Sequence, residues 1–238
     1  SMKHLGETID IHAGGNDLVF PHHENEIAQS EACCTSKFVN YWVHFGFLNL
    51  KNEKMSKSLG NFFTARDIVK KYDAEVIRYF MCQSQYGSPL NFSDDLLKSA
   101  SSGLKKIQSF AEDVVQKLGD SDGSEGESFD FKPFYDKFEE EMDDNFNFPK
   151  GVAVIFDFMK SFNLFIADNE KVEKDSLEKA LEFIQKTAGD VFGIIDVEKI
   201  KEKSAGATSE KELMELLIDL RLDAKKEKNF ELADKIRD

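Results

Sequence analysis

The stretch DIHAGGNDLVFPHHENE, residues 10–26, decides how this fold begins. Residues 8–12 alternate apolar and polar side chains, which predicts a strand, and the glycines that follow predict a tight turn. Pro21 suits the first position of a helix, which we expect to extend to residue 34. A strand, a turn and a helix in this order place the turn at the carboxyl end of the strand, where open α/β sheets bind ligands.

His22 and Glu26 are four residues apart in the predicted helix, so both side chains project from the same face. An imidazole nitrogen and a carboxylate oxygen at this spacing are suitable ligands for a borderline metal such as zinc. Acidic residues near the start of a helix also stabilise it by complementing its dipole, without any metal. The spacing alone leaves both interpretations open.

The pentapeptide KMSKS at residues 54–58 is the second informative stretch. Its lysines, Lys54 and Lys57, each carry a point charge with three donors, which can follow phosphate oxygens as charge moves during nucleotidyl transfer. Gly60 and Asn61 allow the backbone to turn sharply just after them. We therefore predict a short mobile loop that closes over a triphosphate, with an ordinary basic surface turn as the alternative.

Composition indicates a soluble intracellular protein. The chain has 238 residues, enough for more than one domain. It contains no apolar stretch near the ~20 residues that a membrane span needs, and no signal peptide is recognisable. Cys33 and Cys34 are adjacent and would point about 100° apart on a helix, so we expect free thiols rather than a chelating pair or a disulfide.

The sequence resembles the cysteinyl-tRNA synthetases, a family of class I aminoacyl-tRNA synthetases. The matching stretches are DIHAGGNDLVFPHHENEIAQSEA at 10–32, YWVHFGFLNL at 41–50, EKMSKSLGNFFTARDI at 53–68, YDAEVIRYF at 72–80, MDDNFNFP at 142–149 and LRLDAKKEKNFELADKIRD at 220–238. The resemblance spans nearly the whole chain and is weakest at about 95–140 and 160–210.

The resemblance implies an α/β fold in the form of a Rossmann-like catalytic remnant, followed by a mostly α-helical bundle of the anticodon-binding type. We accordingly divide the chain into four segments. They are the C-terminal part of the catalytic domain at 1–50, the KMSKS loop with connecting helices at 51–92, a helical bundle at 93–198 and a C-terminal helical hairpin at 199–238.

Local patterns predict the elements of the first helical half. Thr64 and Asp73 are expected near the starts of two short helices. The Gly- and Ser-rich stretch 119–126 predicts a surface loop. Pro149 is expected to open a long phenylalanine-rich helix to about residue 167, followed by another helix over 175–192.

The C-terminal hairpin is predicted from its own signals. Ser209 and Glu212 form a capping-box pair, which predicts the start of the first helix of the hairpin. Asn229 can cap the second helix. The lysines at 225–228 would then lie at the tip, near the tRNA anticodon in this family, although an ordinary solvated turn would look the same.

The charge is concentrated in one segment. Residues 93–198 hold 12 basic and 25 acidic side chains, a net charge of −13, and the whole chain has a net charge of −14. Non-specific RNA binding requires the opposite sign, because phosphate contacts supply most of its affinity. We therefore expect tRNA to contact the basic surface around 51–71 and 221–237, with the middle segment as an acidic spacer or a solvated face.

The resemblance also implies a zinc site that is incomplete in this chain. His22 and Glu26 align with two of the four zinc ligands of the family, whose other two ligands are cysteines that have no counterpart here. In the family, zinc is thought to recognise the thiolate of the substrate cysteine. Two ligands do not hold zinc tightly, so we expect weak or absent zinc in the chain on its own.

The nucleotide contacts implied by the resemblance lie at the first turn and in the lysine loop. Gly15 and Asp17 would lie against the adenylate, with the carboxylate of Asp17 accepting from ribose hydroxyls. His12 resembles an active-site histidine of the family. A structural histidine whose hydrogen bonds are satisfied within the core or the turn is nearly as good an interpretation. Lys57 aligns with a residue that contacts ATP, which binds with Mg²⁺, and Lys54 would share the stabilisation of the phosphates.

The function implied is the ATP-dependent ligation of cysteine to tRNA(Cys) through cysteinyl-adenylate, by a cytoplasmic protein that we expect to be a monomer. The HIGH-type ATP-binding motif of the family is absent from this chain, so we expect the chain alone to be inactive. Two alternatives remain: a cysteine ligase that acts on an amino-sugar, and a non-catalytic helical fragment that binds RNA or protein. A long helical module weighs against the amino-sugar acceptor.

Overall fold

The computed structural model describes residues 2–50, 53–54, 64–121 and 126–226, in part by the backbone alone. Three predicted features lie outside these residues: the lysine loop including Lys57, the centre of the loop predicted at 119–126, and the helix expected after Asn229. Lys54 is described by its backbone only, in a short strand.

A two-stranded parallel sheet with a helix packed beside it forms the first unit. Its elements are helix α1 (Met2–Leu5), strand β1 (Ile9–Gly15), a 3-10 turn (Asn16–Leu18), a π-helical turn (Val19–His23), helix α2 (Glu24–Cys33) and strand β2 (Val39–Phe45). In the register of the sheet, His12 lies opposite Trp42 and Gly14 opposite His44. This unit carries the histidines predicted for the site.

The end of the first strand differs from the sequence prediction, whereas the start of the following helix agrees with it. Strand β1 continues through Gly15, because its pairing with β2 extends to Phe45, and the turn begins only at Asn16. The helical backbone that leads into α2 starts at Pro21, as predicted, because Pro21, His22 and His23 follow the extended Phe20 as the π-helical part of the turn. Phe20 is extended, with φ −132° and ψ 134°, which agrees with the steric exclusion of a residue before proline from the helical region.

A three-stranded sheet connects this unit to the helical half. Strand β3 (Leu48–Leu50) lies between β4 (Glu53–Lys54), which is antiparallel to it, and β5 (Leu90–Phe92), which is parallel. Helices α3 (Ala65–Ile68) and α4 (Ala74–Cys82) lie between β4 and β5 in the chain. The predicted starts near Thr64 and Asp73 are confirmed, and Thr64 forms a capping box with Asp67.

The helical half consists of five helices within the described residues. They are α5 (Asp94–Asp120), α6 (Lys132–Asp143), α7 (Phe148–Asp168), α8 (Lys174–Ile184), which continues as a π-helical turn (Gln185–Val191), and α9 (Val197–Lys226). The long helix expected from Pro149 is confirmed as α7. The predicted capping box at Ser209 is wrong as a helix start, because Ser209 lies inside α9.

Phenylalanine rings form the centre of the helical core. Phe158, Phe162 and Phe183 are fully buried, and the ring centroids of Phe158 and Phe183 are 4.3 Å apart. Phe158 also contacts the rings of Phe110, Phe129, Phe131, Phe134 and Phe162. Edge-on and tilted ring pairs of this kind stabilise a core beyond the area they bury. Among the described residues, no helix is both long and apolar enough to cross a membrane.

Candidate metal and nucleotide site

The carboxylate of Glu26, in the first turn of α2, is the centre of the candidate site. Its Oε1 lies 3.3 Å from His22 Nε2, so the predicted pair does share one face. Its Oε2 lies 3.2 Å from His12 Nε2, at the middle of β1. Within the described residues, Oε2 is buried and has no partner in hydrogen-bond geometry. A buried anionic oxygen without a hydrogen bond costs free energy, and a cation beside it would remove that cost.

His23 is the buried member of the cluster, with 3% of its surface exposed. Its Nδ1 lies 2.9 Å from His44 Nε2, which leaves Nε2 of His23 for another partner. Burial lowers the pKa of His23 below its usual 6.5, and the neighbouring His12 and His44 lower it further. The His23 ring is therefore neutral near pH 7, which is the form that binds metals.

Trp42 forms one wall of the site. Its ring centroid lies 4.7 Å from that of His12 and 4.8 Å from that of His23. It is also stacked on His44, at 5.9 Å and 5° between the ring planes. These aromatic contacts fix the orientation of three imidazoles.

Strand periodicity explains why these rings meet. Alternate residues of a strand face the same side, so Trp42 and His44 share a face of β2, and the parallel register sets His12 and Gly14 beside them. A Cβ atom at Gly14 would lie 2.7 Å from His23 Cε1 and 2.9 Å from His23 Nε2. Gly14 therefore leaves the space that the His23 ring occupies.

The structure brings more potential metal ligands together than the sequence prediction named. His12, His23 and Glu26 can each place a ligand atom so that all three lie within 4.8 Å of one another. His22, the predicted ligand, is 59% exposed in its side chain and contacts Glu26 from the outer side. The sequence prediction lacked the parallel register of β1 and β2, which brings His12 and His44 to the π-helical turn that carries His22 and His23.

Two of the predicted nucleotide contacts, Gly15 and Asp17, lie at the carboxyl end of β1, whereas His12 lies in the middle of the strand and Lys57 outside the described residues. Gly15 is the last residue of the strand, and Asp17 lies in the 3-10 turn that follows. A Cβ atom at Gly15 would lie 2.5 Å from Asp17 Oδ1, so the absence of a side chain gives the carboxylate its position. Asn16, between them, donates a hydrogen bond from Nδ2 to the carbonyl of Gly87, at 3.3 Å.

Two family models match the chain. The tRNA synthetases class I (C) catalytic domain matches residues 1–102, which include the whole candidate site. The DALR domain matches residues 137–196, within the helical half.

Curated relatives match the chain from end to end. The cysteine–tRNA ligase of Thermococcus gammatolerans is 43% identical over 245 residues, covering 100% of this chain and 51% of the relative. The cysteine–tRNA ligase of Shouchella clausii is 44% identical over 242 residues, covering 99% of this chain and 50% of the relative. The chain thus spans about half the length of the curated relatives it matches.

Solved structures confirm the fold class. The leucyl-tRNA synthetase of Agrobacterium radiobacter K84, in a ternary complex with tRNA, superposes with a TM-score of 0.61 over 83% of this chain and 26% of that chain, at 15% identity. The methionyl-tRNA synthetase of Mycobacterium tuberculosis, bound to methionyl-adenylate, gives 0.56 over 81% of this chain and 43% of that chain, at 16% identity.

The α/β unit with its helical continuation agrees with the fold of class I synthetases, and both sequence comparisons lead to the same family. The aligned part of the relatives is their C-terminal half. This chain therefore belongs to the cysteine–tRNA ligase family and corresponds in sequence to the C-terminal half of its members.

Proposed function

We propose that this chain contributes the thiol-recognition site and the lysine loop to an enzyme that ligates cysteine to tRNA(Cys) with ATP. The buried carboxylate oxygen of Glu26, with imidazoles on either side, is the observation that carries the proposal. A cation beside this oxygen would stabilise it, and a set of histidine and carboxylate ligands suits zinc. The full-length relatives from which the proposal draws its substrates are cysteine–tRNA ligases.

His22 and Glu26 are the zinc ligands that we propose, with His12 and His23 beside them. The donor set fits the metal, because Glu26 Oε2 lacks a hydrogen bond within the described residues and His23 is held in its neutral form. A bound zinc ion would supply a preference for the sulfur of cysteine over the oxygen of serine, a near-isostere that a polar pocket rejects poorly. Trp42 would orient the imidazoles and exclude water.

The nucleotide would lie at the carboxyl end of β1. Gly15 and Asp17 are proposed to hold the adenosine moiety of ATP, with the Asp17 carboxylate accepting from ribose hydroxyls. Lys54 and Lys57 would stabilise the phosphates of the magnesium complex of ATP. The carboxylate of cysteine then attacks the α-phosphorus and displaces pyrophosphate, and a ribose hydroxyl of tRNA attacks the carbonyl carbon and releases AMP.

The helical half would serve as the tRNA-binding part. Its DALR domain match supports this assignment. Because residues 93–198 are acidic and repel phosphates, we expect the phosphate contacts at the basic segments 51–71 and 221–237. We further propose that the protein acts as a cytoplasmic monomer. The domain limits given above remain predictions.

Cysteine-dependent exchange of pyrophosphate into ATP tests the proposal. It is measured with this chain alone and with the chain combined with the N-terminal half that its relatives carry, and we expect exchange only in the combined protein. Glu26→Gln removes the central charge and should lower the exchange rate by about 10- to 100-fold, the loss typical of perturbed metal sites. Zinc content should fall with it.

Glu24→Gln is the matched control, because it makes the same chemical change two residues away on α2. This variant should keep both its zinc and its exchange rate. Exchange by Glu26→Gln at the rate of the unmodified protein, or a combined protein that activates serine as readily as cysteine, would contradict the proposed role of the site.

A further inference from the structure

The loop at residues 84–88 connects the candidate site to the helical half. The loop follows α4 and precedes β5, and its residues Gln85 and Tyr86 make hydrogen bonds in both directions. The loop lies outside the metal and nucleotide sites proposed above.

On the side of the site, the loop holds the carboxyl ends of both strands of the first sheet. The amide of Gly46, next to the end of β2, donates to the carbonyl of Tyr86 at 2.8 Å. The Tyr86 ring packs edge-on against Phe45 at 5.7 Å. The carbonyl of Gly87 accepts from Asn16, in the turn that carries Asp17. The loop thus holds the carboxyl end of β2, the strand that carries Trp42 and His44.

On the other side, the loop is bonded to a single residue of the α6–α7 turn. The hydroxyl of Tyr86 donates to Asn145 Oδ1 at 2.6 Å, and Gln85 Nε2 donates to the carbonyl of Asn145 at 3.0 Å. Both the side chain and the backbone of Asn145 are therefore engaged by the loop. This double contact fixes the orientation of Asn145 as well as its distance.

The α6–α7 turn has an unusual backbone at this point. Asn145 has φ 56° and Phe146 has φ 50°, two consecutive non-glycine residues in the left-handed region. Asparagine adopts this conformation with little cost, whereas it is strained for phenylalanine. The amide of Phe146 donates to Met142 and that of Asn147 donates to Glu141, at 3.0 Å each, which holds the turn in place. Strain maintained in this way indicates a turn whose geometry has a use.

A cavity lies behind the loop. It has a volume of about 390 Å³ and is lined mainly by apolar groups, among them Phe47, Met81, Cys82 and Phe148. On the site side the loop packs closely on Gly46, where an added Cβ atom would collide with the carbonyl group of Ser88. On the side of the helical half, the hydrogen bonds to Asn145 hold the loop.

From these contacts we infer that Tyr86 and Asn145 are positioning residues, which couple the placement of the helical half to the end of β2 and hence to the site around Trp42 and His44. Movement of α6 and α7 would be transmitted through Asn145 to Tyr86 and then to Gly46. In functional terms the inference rests on the proposed tRNA ligation. In that reaction, tRNA bound by the helical half has to be aligned with the site around Trp42 and His44.

The test uses the only tryptophan of the chain, Trp42, as a reporter within the site. Tyr86→Phe removes the hydroxyl but keeps the ring on Phe45, and Asn145→Gly removes the acceptor while tolerating the left-handed backbone. Both should speed hydrogen exchange of the Gly46 amide by about five- to tenfold, the effect of losing one ordinary hydrogen bond. Both should also change the acrylamide quenching of Trp42, and the double variant should add little to either single one.

Two further variants make the result specific. Asn145→Asp keeps an oxygen acceptor and should retain the exchange and quenching of the unmodified chain. Tyr135→Phe removes a hydroxyl from the helical half, where its ring packs on Phe183, and should leave both readouts unchanged. In the combined protein, Tyr86→Phe should lower kcat for tRNA charging about tenfold with little change in KM for tRNA, since no proposed tRNA contact is altered.

Unchanged exchange at Gly46 and unchanged quenching of Trp42 in Tyr86→Phe and Asn145→Gly would overturn the inference. Equal changes in Tyr135→Phe would also overturn it, because they would indicate general loosening. These readouts need no catalytic activity. An unmodified combined protein that failed to charge tRNA would count against the proposed function and not against this coupling.

Discussion

At the scale of single residues, Gly14 and His23 depend on each other. The ring of His23 fills the space where a side chain at residue 14 would lie. Its hydrogen bond to His44 restricts movement of the ring away from that space. We expect Gly14→Ala to destabilise the fold by about 1–3 kcal/mol, the usual cost of overpacking. Urea denaturation measures this change.

Gly119→Ala is the control for this substitution. Gly119 lies near the end of α5 with no atom of the described residues within 4 Å of the added Cβ, so alanine there should leave the stability unchanged or raise it by up to about 0.5 kcal/mol through helix propensity. A Gly14→Ala chain as stable as the unmodified one would mean that the His23 ring is not confined as described.

The cysteines provide a second prediction at this scale. Burial raises the pKa of Cys82 to about 11, whereas Cys33 is exposed. Because the thiolate is the reactive form, Cys82 should resist iodoacetamide at pH 8 and react faster only as the pH rises towards 11. Peptide mass spectrometry should find Cys33 labelled first, and labelling of Cys82 at an equal rate at pH 8 would refute the assignment.

The sequence predicted part of the site at this scale. Four-residue spacing on a helix was enough to pair His22 with Glu26. It could not identify His12, His23 and His44 as neighbours of that pair, because their meeting depends on the register between two strands that are far apart in the chain. The adjacent histidines also differ in burial, and only the packing of the helix on the sheet decides which of them faces inwards.

At the scale of elements, the ring of Phe158 connects α7 with the helices around it. Phe158→Ala should destabilise the fold by about 3–5 kcal/mol, since it removes a fully buried aromatic side chain and leaves a cavity. Leu164→Ala, in the same helix, affects a side chain that is 56% exposed and should cost no more than about 0.5 kcal/mol. Thermal or urea denaturation of both variants distinguishes the two costs, and equal losses would contradict the assigned core.

Element boundaries were predictable where a local signal dominates. Thr64 begins its helix with the predicted cap because the capping box involves neighbouring residues alone. The start predicted at Ser209 is wrong, because a capping signal inside a longer helical sequence does not stop a helix that already begins at Val197. The strand at Gly15 likewise continues for as long as its partner strand pairs with it.

At the scale of the whole molecule, the described residues join a histidine-rich α/β unit to a phenylalanine-rich helical half by way of α4, which shares the helical core, and by several specific hydrogen bonds. Arg78 of α4 donates to the carbonyl of Gly193 at 3.5 Å, and the loop at 84–88 binds the α6–α7 turn. The fold class could be predicted because long motifs recur in one family. The hydrogen bonds of Arg78 and of the 84–88 loop to the helical half could not, since they join residues about sixty or more positions apart.

Transfer of radiolabelled cysteine to an acceptor tests the central claim most directly. The chain combined with the N-terminal half of its relatives is given cysteine, ATP and either tRNA(Cys), a tRNA with another anticodon, or an amino-sugar. The account predicts label on tRNA(Cys) alone, with loss of labelling in Glu26→Gln and retention in Glu24→Gln. Label on the amino-sugar, or none on tRNA(Cys) from a protein that still activates cysteine, would contradict it.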